Sequence, residues 1–402
     1  AAQIHGHPSR RLALVGVTGT NGKTTVTHMV ESIGNADGKK VGLIGTVHTR
    51  IGSTSIPNTR TTPEATDFQR LLATMVRMGA EIVSTEVSSH ALAMHRVDAA
   101  RFAVAAFTNL SQDHLDFHGD MESYFLAKAR LCEPDLSGRA VIWTDGPAGR
   151  RVAAMTRIPY LTVGTDADVT ARERRVGVEG SRFVLVTPEG EVDVALPLGG
   201  DFNIDNALVA AGCALSLSIP LESIASGLRD FRGVPGRFEV VSADAPVTVL
   251  VDYAHTPASI ANAIASVRRT GRGEWVSDGG HRRLIVVFGA GGDRDRAKRP
   301  QMGREAMAAD EVIVTSDNPR SEPPEAIIDE VVAGTDDTSR VRRIVDRREA
   351  ITAAIAMARD GDVVLILGRG HERGQEVQGR ILPFDDRLVA REALIEQGRL
   401  EG

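Results

Sequence analysis

Short apolar runs rich in Val, Ile and Leu alternate along this chain with longer stretches of helical spacing. That alternation predicts repeated strand–helix–strand units around parallel sheets. In the first half, strands are expected at residues 12–17, 41–47, 82–86, 102–108 and 140–143, and helices at 25–33, 64–78, 121–131 and 206–217. Residues 181–198 alternate apolar and polar positions about a central Pro188-Glu189-Gly190, the pattern of a hairpin. Composition turns loop-like at Arg232-Gly233-Val234-Pro235-Gly236. A second α/β unit follows, with strands expected at 247–252, 284–288, 311–315 and 362–367 and helices at 258–268 and 301–308. The polar, Gly-rich stretch 271–281 reads as a flexible loop. The expected division is an N-terminal remnant or linker (1–10), a central domain (11–234) and a C-terminal domain (235–402).

A length of 402 residues suits two or three domains, and 42% hydrophobic residues can fill their cores. The 40 glycines fit many tight strand-to-helix turns. A net charge of −6 argues against a nucleic-acid surface. Cys132 and Cys213 lie in unrelated segments and read as small buried residues of a reducing compartment. No apolar run approaches the roughly 20 residues of a membrane span. The start, AAQIHGHPSRR, is short and polar, unlike a signal peptide. A cytoplasmic protein is therefore expected, with His5 and His7 in a disordered or added start.

One turn changes the picture from fold to chemistry. Gly19-Thr20-Asn21-Gly22-Lys23-Thr24-Thr25 follows the apolar run Leu12-Ala13-Leu14-Val15 and precedes a helical stretch. Backbone N–H groups of such a turn wrap a polyphosphate, Lys23 supplies a charge, and the Thr24 hydroxyl can hold Mg²⁺. The motif marks a chain that handles ATP or GTP. It is a variant loop, because Val17 stands where the usual pattern has a Gly six places before the Lys. The fold class that follows is α/β: a P-loop-type parallel-sheet ATP-binding central domain, then a Rossmann-like C-terminal α/β domain.

Ligands of doubly wound sheets bind beyond the carboxyl ends of strands, and the interesting polar residues cluster there. Glu86 ends one expected strand; it could be a Mg²⁺ ligand or a structural cap or ion pair. His114 sits between Asp113 and Asp116, as a ligand or as a surface histidine in an acidic loop. Lys128, by spacing alone, is a solvated helix lysine. Arg320 after Pro319 is either a carboxylate clamp or a loop arginine in a surface pair. The run from Asp293-Arg294 to Lys298-Arg299 also fits mixed charge on a solvated face, and His371-Glu372 also fits a capped helix start.

Taken together, GTNGKTT, Glu86-Val87-Ser88-Ser89-His90, Asn109-Leu110-Ser111-Gln112-Asp113-His114-Leu115-Asp116, Lys128 in Tyr-Phe-Leu-Ala-Lys, Asn203 and Asn206, Gly236-Arg237-Phe238-Glu239, Asp252-Tyr253-Ala254-His255-Thr256-Pro257 and Asp317-Asn318-Pro319-Arg320 resemble the Mur ligases. The matches run from about Leu12 to Leu394. The resemblance implies an ATP-dependent amide ligase of peptidoglycan synthesis. ATP phosphorylates the terminal carboxylate of a UDP-muramoyl peptide, and the amine of an incoming amino acid displaces the phosphate. For this chain it implies a UDP-muramoyl dipeptide as acceptor, meso-diaminopimelate as the amino acid, and a monomer.

By the same resemblance, Gly19, Thr20, Asn21, Gly22, Lys23, Thr24 and Thr25 meet the ATP phosphates, and Asn206, Arg237 and Asp252 meet the nucleotide. Thr24 and Glu86 hold one Mg²⁺; His114 and a carbamylated Lys128 hold a second metal. Lys23, Lys128 and His114 are the catalytic set. Thr61, Thr62, Ser88 and Arg96 contact the UDP-muramoyl peptide, while Arg294, Asp317, Asn318, Pro319, Arg320, Gly368 and Glu372 form the amino-acid pocket. Two departures from the family pattern are Arg60 before Thr61-Thr62 and Met94 before His95-Arg96. The family also begins with a uridine-nucleotide domain, whereas this phosphate loop starts at Gly19, so the sequence as given is expected to lack that domain. The competing readings are a folylpolyglutamate-synthase-like ligase and a nucleotide-binding module without turnover.

Overall fold

The computed structural model describes residues 1–56, 60–242, 245–270 and 282–401. The expected flexible loop at 271–281 lies outside them. Among the described residues an eight-stranded sheet carries the first half of the chain. Its order is Thr54–Ser55, Thr49–Ile51, Val41–Ile44, Ile82–Glu86, Ala13–Thr18, Phe102–Phe107, Ser137–Trp143 and Tyr160–Val163. From Val41–Ile44 onward the strands are parallel, while the two short edge strands are antiparallel.

Both faces of this sheet are covered, so its strands are apolar on both sides. Val15 and Val17 pack with Val26, Met29 and Leu208 on one face, whereas Leu14 packs with Phe68, Leu72 and Phe107 on the other. The alternation follows from the two-residue period of a strand. Gly16 sits between them because a Cβ there would stand 2.7 Å from the Phe102 ring. The helices responsible are Lys23–Ala36 and Asp201–Ser216 on the first face and Ala65–Arg77 on the second.

The expected hairpin is present as Ser181–Thr187 paired with Gly190–Leu196. A third strand, Thr170–Val176, joins it; its sequence TARERRV is too polar to read as a strand. A second sheet, six-stranded among the described residues, has the order Glu239–Val240, Thr248–Asp252, Val363–Leu367, Leu284–Phe288, Glu311–Val314 and Val341–Arg343. The last five are parallel.

Three local expectations change. Lys128 lies on the helix Met121–Ala129 but is 1% exposed. His371 and Glu372 do not open a helix; they form a turn that leads into the strand Gly374–Val377. The chain start is tied down rather than loose: Pro8 and Ser9 are buried, and Ser9 Oγ accepts from Arg101 N at 3.0 Å. Among the described residues no helix is long and apolar enough to cross a membrane.

Candidate active site between the two sheets

The strand Ala13–Thr18 delivers the chain into a turn that only glycine can make. Gly19 has φ 145° and Gly22 φ 85°. A Cβ on Gly19 would stand 1.9 Å from Thr108 Oγ1, and one on Gly22 2.3 Å from Asn206 Oδ1. The helix Lys23–Ala36 starts at the end of the turn, so its free N–H groups and its dipole face the same space. The loop after Phe102–Phe107 holds the turn in shape. Asn21 N donates to Asn109 Oδ1 at 2.9 Å, Thr108 Oγ1 donates to Asn21 O at 2.6 Å, and Ser111 N donates to Thr20 Oγ1 at 3.0 Å. Thr25 is buried on the first turn of the helix.

Two lysines converge on one carbonyl. Lys23 Nζ donates to Gly19 O at 2.9 Å and to Thr20 O at 2.8 Å, and Lys128 Nζ donates to Gly19 O at 2.7 Å. Lys128 also lies 4.7 Å from the Tyr124 ring centroid. Burial, and then the charge of Lys23, pushes the Lys128 amine well below its ordinary range; burial also lowers Lys23. The half-buried Lys23 and the buried Lys128 thus crowd one carbonyl, which disfavours charge on both and leaves donors that an anion can meet.

Beside them stands a buried carboxylate with no cation. Glu86 is 1% exposed. Its oxygens accept from Thr24 Oγ1 at 2.9 Å, Thr46 N at 2.7 Å and Thr46 Oγ1 at 3.2 Å. Among the described residues no basic side chain lies within ion-pair distance of it. Gly45 is required here, because a Cβ would stand 2.5 Å from Glu86 Oε1. A desolvated carboxylate next to a Thr hydroxyl fits a hard divalent cation. His114, at φ 55°, has Nε2 3.4 Å from Asp113 Oδ2, and burial holds its imidazole below the usual histidine range. Among the described residues no three His, Cys, Asp or Glu side chains stand together as a ready metal cage. Of the four side chains expected to hold metal, Thr24 and Glu86 touch, and a lysine such as Lys128 can ligate a metal only in an uncharged or anionic form.

Asp113 also joins the two halves of the molecule. It reaches Lys298 Nζ at 3.4 Å and His255 Nε2 at 3.7 Å across the junction. Burial opposes its ionisation, but His255, Lys298 and His114 hold it well below the ordinary carboxylate range. Lys298 and Arg299, read as part of a solvated charged face, are both buried, whereas Arg294 and Arg296 in the same run are exposed.

A cavity of ≈ 340 Å³ opens at this junction between Gly22, Thr24 and Asn206 on one side and Arg237, Asp252 and Tyr253 on the other. Asn206 Nδ2 donates to Asn203 Oδ1 at 3.1 Å. Asp252 accepts from Phe238 N at 2.7 Å and Ala254 N at 2.9 Å, while burial pushes its pKa up. Arg237 lies 4.3 Å above the Tyr253 ring and donates to Thr24 Oγ1 at 3.2 Å. Trp143 and Phe202 line the same cavity. Sequence reading missed both, although an aromatic ending a strand at a nucleotide-sized gap is a usable signal.

Thr61, Thr62, Ser88 and Arg96 gather around the end of Ile82–Glu86. Thr46 Oγ1 donates to Thr61 Oγ1 at 2.9 Å, and Thr62 Oγ1 donates to Glu86 O at 2.8 Å. Ser88 N donates to Thr62 Oγ1 at 3.0 Å, and Ser88 Oγ caps the next helix by accepting from Ala91 N. Arg96 donates to Thr62 O at 3.4 Å and pairs with Glu64 at 3.0 Å.

The remaining loops meet at the carboxyl end of the second sheet. Asn318 Nδ2 donates to Glu372 Oε2 at 2.8 Å, and Gly368, at φ 114°, suits glycine and lies where a Cβ would stand 2.6 Å from Asp317 Oδ2. Burial, and then Asp317, pushes the Glu372 pKa up. Arg320 donates from Nε to Glu376 at 3.1 Å and from a terminal nitrogen to Gly292 O at 2.6 Å. Gly292 N in turn donates to Asn318 O at 2.9 Å, beside Pro319. Arg294 is exposed and donates within its own loop, to Asp293 O.

Comparison with known proteins follows this geometry. Residues 17–214 match the Mur ligase middle domain, and residues 236–370 match the Mur ligase glutamate ligase domain. Over 398 residues the chain is 49% identical to the UDP-N-acetylmuramoyl-L-alanyl-D-glutamate–2,6-diaminopimelate ligase of Gloeobacter violaceus, covering 98% of this chain and 79% of that protein. The chain belongs to the Mur ligase family. This Mur ligase is 46% identical to the ligase of the same name from Geobacillus kaustophilus, over 99% of this chain and 82% of that one. A solved structure of an enzyme of that name aligns with TM-score 0.66 at 35% identity, over 97% of this chain and 79% of the other. A folylpolyglutamate synthase from Mycobacterium tuberculosis aligns with TM-score 0.74 at 21% identity, a likeness of fold. As a Mur ligase, the chain is an ATP-dependent amide ligase of peptidoglycan synthesis.

Proposed function

We propose that this Mur ligase joins meso-diaminopimelate to UDP-N-acetylmuramoyl-L-alanyl-D-glutamate. The relatives carry that name, and one observation about the pocket supports it most directly. A guanidinium, Arg320, and two carboxylates, Asp317 and Glu372, share one set of loops. meso-Diaminopimelate has an ammonium and a carboxylate at its far end, whereas lysine has only the ammonium. Arg320 would take the carboxylate by a forked contact, and Asp317 and Glu372 the ammonium. Lysine would leave the guanidinium without its substrate partner, which is the basis of selectivity.

In this reading the phosphate loop and Lys23 hold the ATP phosphates, and Asn206, Arg237 and Asp252 border the nucleoside. Thr24 and Glu86 would hold one Mg²⁺, and His114 and Lys128 a second, supplying charge neutralisation at the transferring phosphoryl group. Lys128 would act as a carbamate: its neutral amine attacks CO₂ and loses a proton, which turns a buried amine into an anionic ligand. Thr61, Thr62, Ser88 and Arg96 would seat the UDP-muramoyl peptide beside Glu86. The acceptor carboxylate attacks the terminal phosphate of ATP, ADP leaves, and the amine then displaces phosphate from the acyl group. Acceptor and amine bind on different halves, so approach of the halves aligns them. The division at residues 234 and 235, and a cytoplasmic monomer, belong to the same reading.

The test is phosphate release from ATP. Release is expected with the muramoyl dipeptide and meso-diaminopimelate together, and not with either alone. Turnover with a folate and glutamate instead would favour the synthase-like alternative. No turnover with any pair would favour a module that only binds nucleotide.

A further inference from the structure

We propose that Arg369 is a positioning residue for the incoming amino acid: it locks the side-chain amide of Asn318 in one sense and thereby aims the Glu372 carboxylate into the pocket. The inference rests on the amino-acid pocket described above. Arg369 is fully buried, directly after Gly368 at the end of Val363–Leu367. Among the described residues no carboxylate lies within ion-pair distance of it. One terminal nitrogen donates to Asn318 Oδ1 at 3.1 Å and Asp317 O at 3.4 Å, and the other to Gly374 O at 2.8 Å and Phe384 O at 3.5 Å. Among the described residues its Nε has no hydrogen-bond partner. A desolvated cation served only by neutral acceptors is costly, so packing alone does not account for an arginine here.

What it does is fix a choice. The Asn318 amide could stand either way round, and its neighbours decide which. Arg369 and Glu376 N (2.8 Å) both point donors at the same Asn318 atom. Neither donor can accept, so that atom is the oxygen. The amide nitrogen must then face the other way, toward Glu372 Oε2. Reversal would set an NH₂ against a guanidinium and an oxygen against a carboxylate, losing all three hydrogen bonds. The same junction carries Arg320, because the Glu376 that donates from its backbone to Asn318 also accepts from Arg320 at its carboxylate. Arg369 therefore ties the ammonium-binding and carboxylate-binding ends of the pocket to one amide, and its own place is set by the Gly374 and Phe384 carbonyls.

Steady-state kinetics of Arg369→Met, Arg369→Gln and Arg369→Lys test this, with Arg320→Ala and Glu372→Gln defining the pocket. Removing one charge-assisted hydrogen bond should raise the amino-acid KM about tenfold in Arg369→Met, with the KM of ATP within about twofold of the parent. Arg369→Lys keeps a cation but not the guanidinium fork, so its amino-acid KM should fall between those of the parent and Arg369→Met. If Arg369→Met does not fold, Arg369→Gln carries the same expectation. A folded neutral variant with an unchanged amino-acid KM, or with all three substrate KM values rising in step, would overturn the proposal. If Arg320→Ala and Glu372→Gln also leave the amino-acid KM unchanged, the pocket reading itself fails and the proposal falls with it.

Discussion

At the nucleotide end of the proposed site, the groups that would cradle the phosphates come largely from one contiguous turn, residues 19–25, shaped by two positive-φ glycines and an adjacent helix start. At the amino-acid end they come from loops at 291–294, 317–320 and 368–372, and buried arginines tie those loops together. Arg299, fully buried, binds Glu322, Glu330 and Gly291 O. Arg347 makes a forked pair with Asp386 at 2.8 and 2.7 Å and donates to Leu367 O, while Arg369 holds Asn318. A contiguous cradle needs only local backbone geometry. A discontiguous pocket needs long-range polar ties, and those cost desolvation that only good geometry offsets.

The comparison breaks most readily at the lysines. Lys23→Ala should lower turnover by on the order of a thousandfold, roughly 4 kcal/mol, as for one preorganised catalytic donor. Lys23 donates to two carbonyls of its own turn, which the glycines already shape, so the melting temperature should hold. Lys128→Ala should be nearly inactive and partly rescued by short-chain carboxylic acids. Near-normal phosphate release in either variant would remove the nucleotide half of the comparison.

At the other end, Asp386→Asn leaves the fully buried Arg347 without its counter-charge and should cost roughly 3 kcal/mol of stability. Glu122→Gln, which breaks the exposed pair with Arg151, should leave the urea midpoint close to that of the parent. Urea midpoints of the two variants measure the contrast, and equal values would show that the arginine scaffold is dispensable. Arg320→Ala should raise the amino-acid KM about tenfold and leave the KM of ATP unchanged, read from initial rates.

The effect that is smallest at neutral pH, and grows only as pH falls, concerns His28, on the helix behind the phosphate loop. Burial holds its pKa at about 3, below its ordinary 6.5. As pH falls below 6.5 the unfolded chain takes up a proton that the folded chain refuses. Stability is therefore full above that pH and is lost toward pH 3, by up to about 1.4 kcal/mol per pH unit from this group. His28→Leu should flatten the acid side of a stability–pH curve, and an unchanged slope would contradict the assignment.

The same contrast explains what could be read from residues alone. The phosphate loop is a local pattern between a strand and a helix, so its position and shape follow from neighbours in sequence. Lys128 looked solvated because its helix carries no strong apolar stripe; its burial comes from Gly19 O, 109 positions away. Lys298 and Arg299 looked like surface charge because their partners, Asp113 and Glu322, are distant in sequence. Arg369 gave no local signal at all, since a buried arginine contradicts every hydrophobic pattern. The ends of parallel strands marked where the pocket lies, but not which charges support it.

The proposed pocket on the second sheet is one for meso-diaminopimelate. The direct measurement offers the enzyme ATP, the UDP-muramoyl dipeptide and equal amounts of meso-diaminopimelate and L-lysine, and resolves the two products by mass. The diaminopimelate product should dominate, and Arg320→Ala should erode the preference. Equal incorporation of lysine, or a preference untouched by Arg320→Ala, would contradict it.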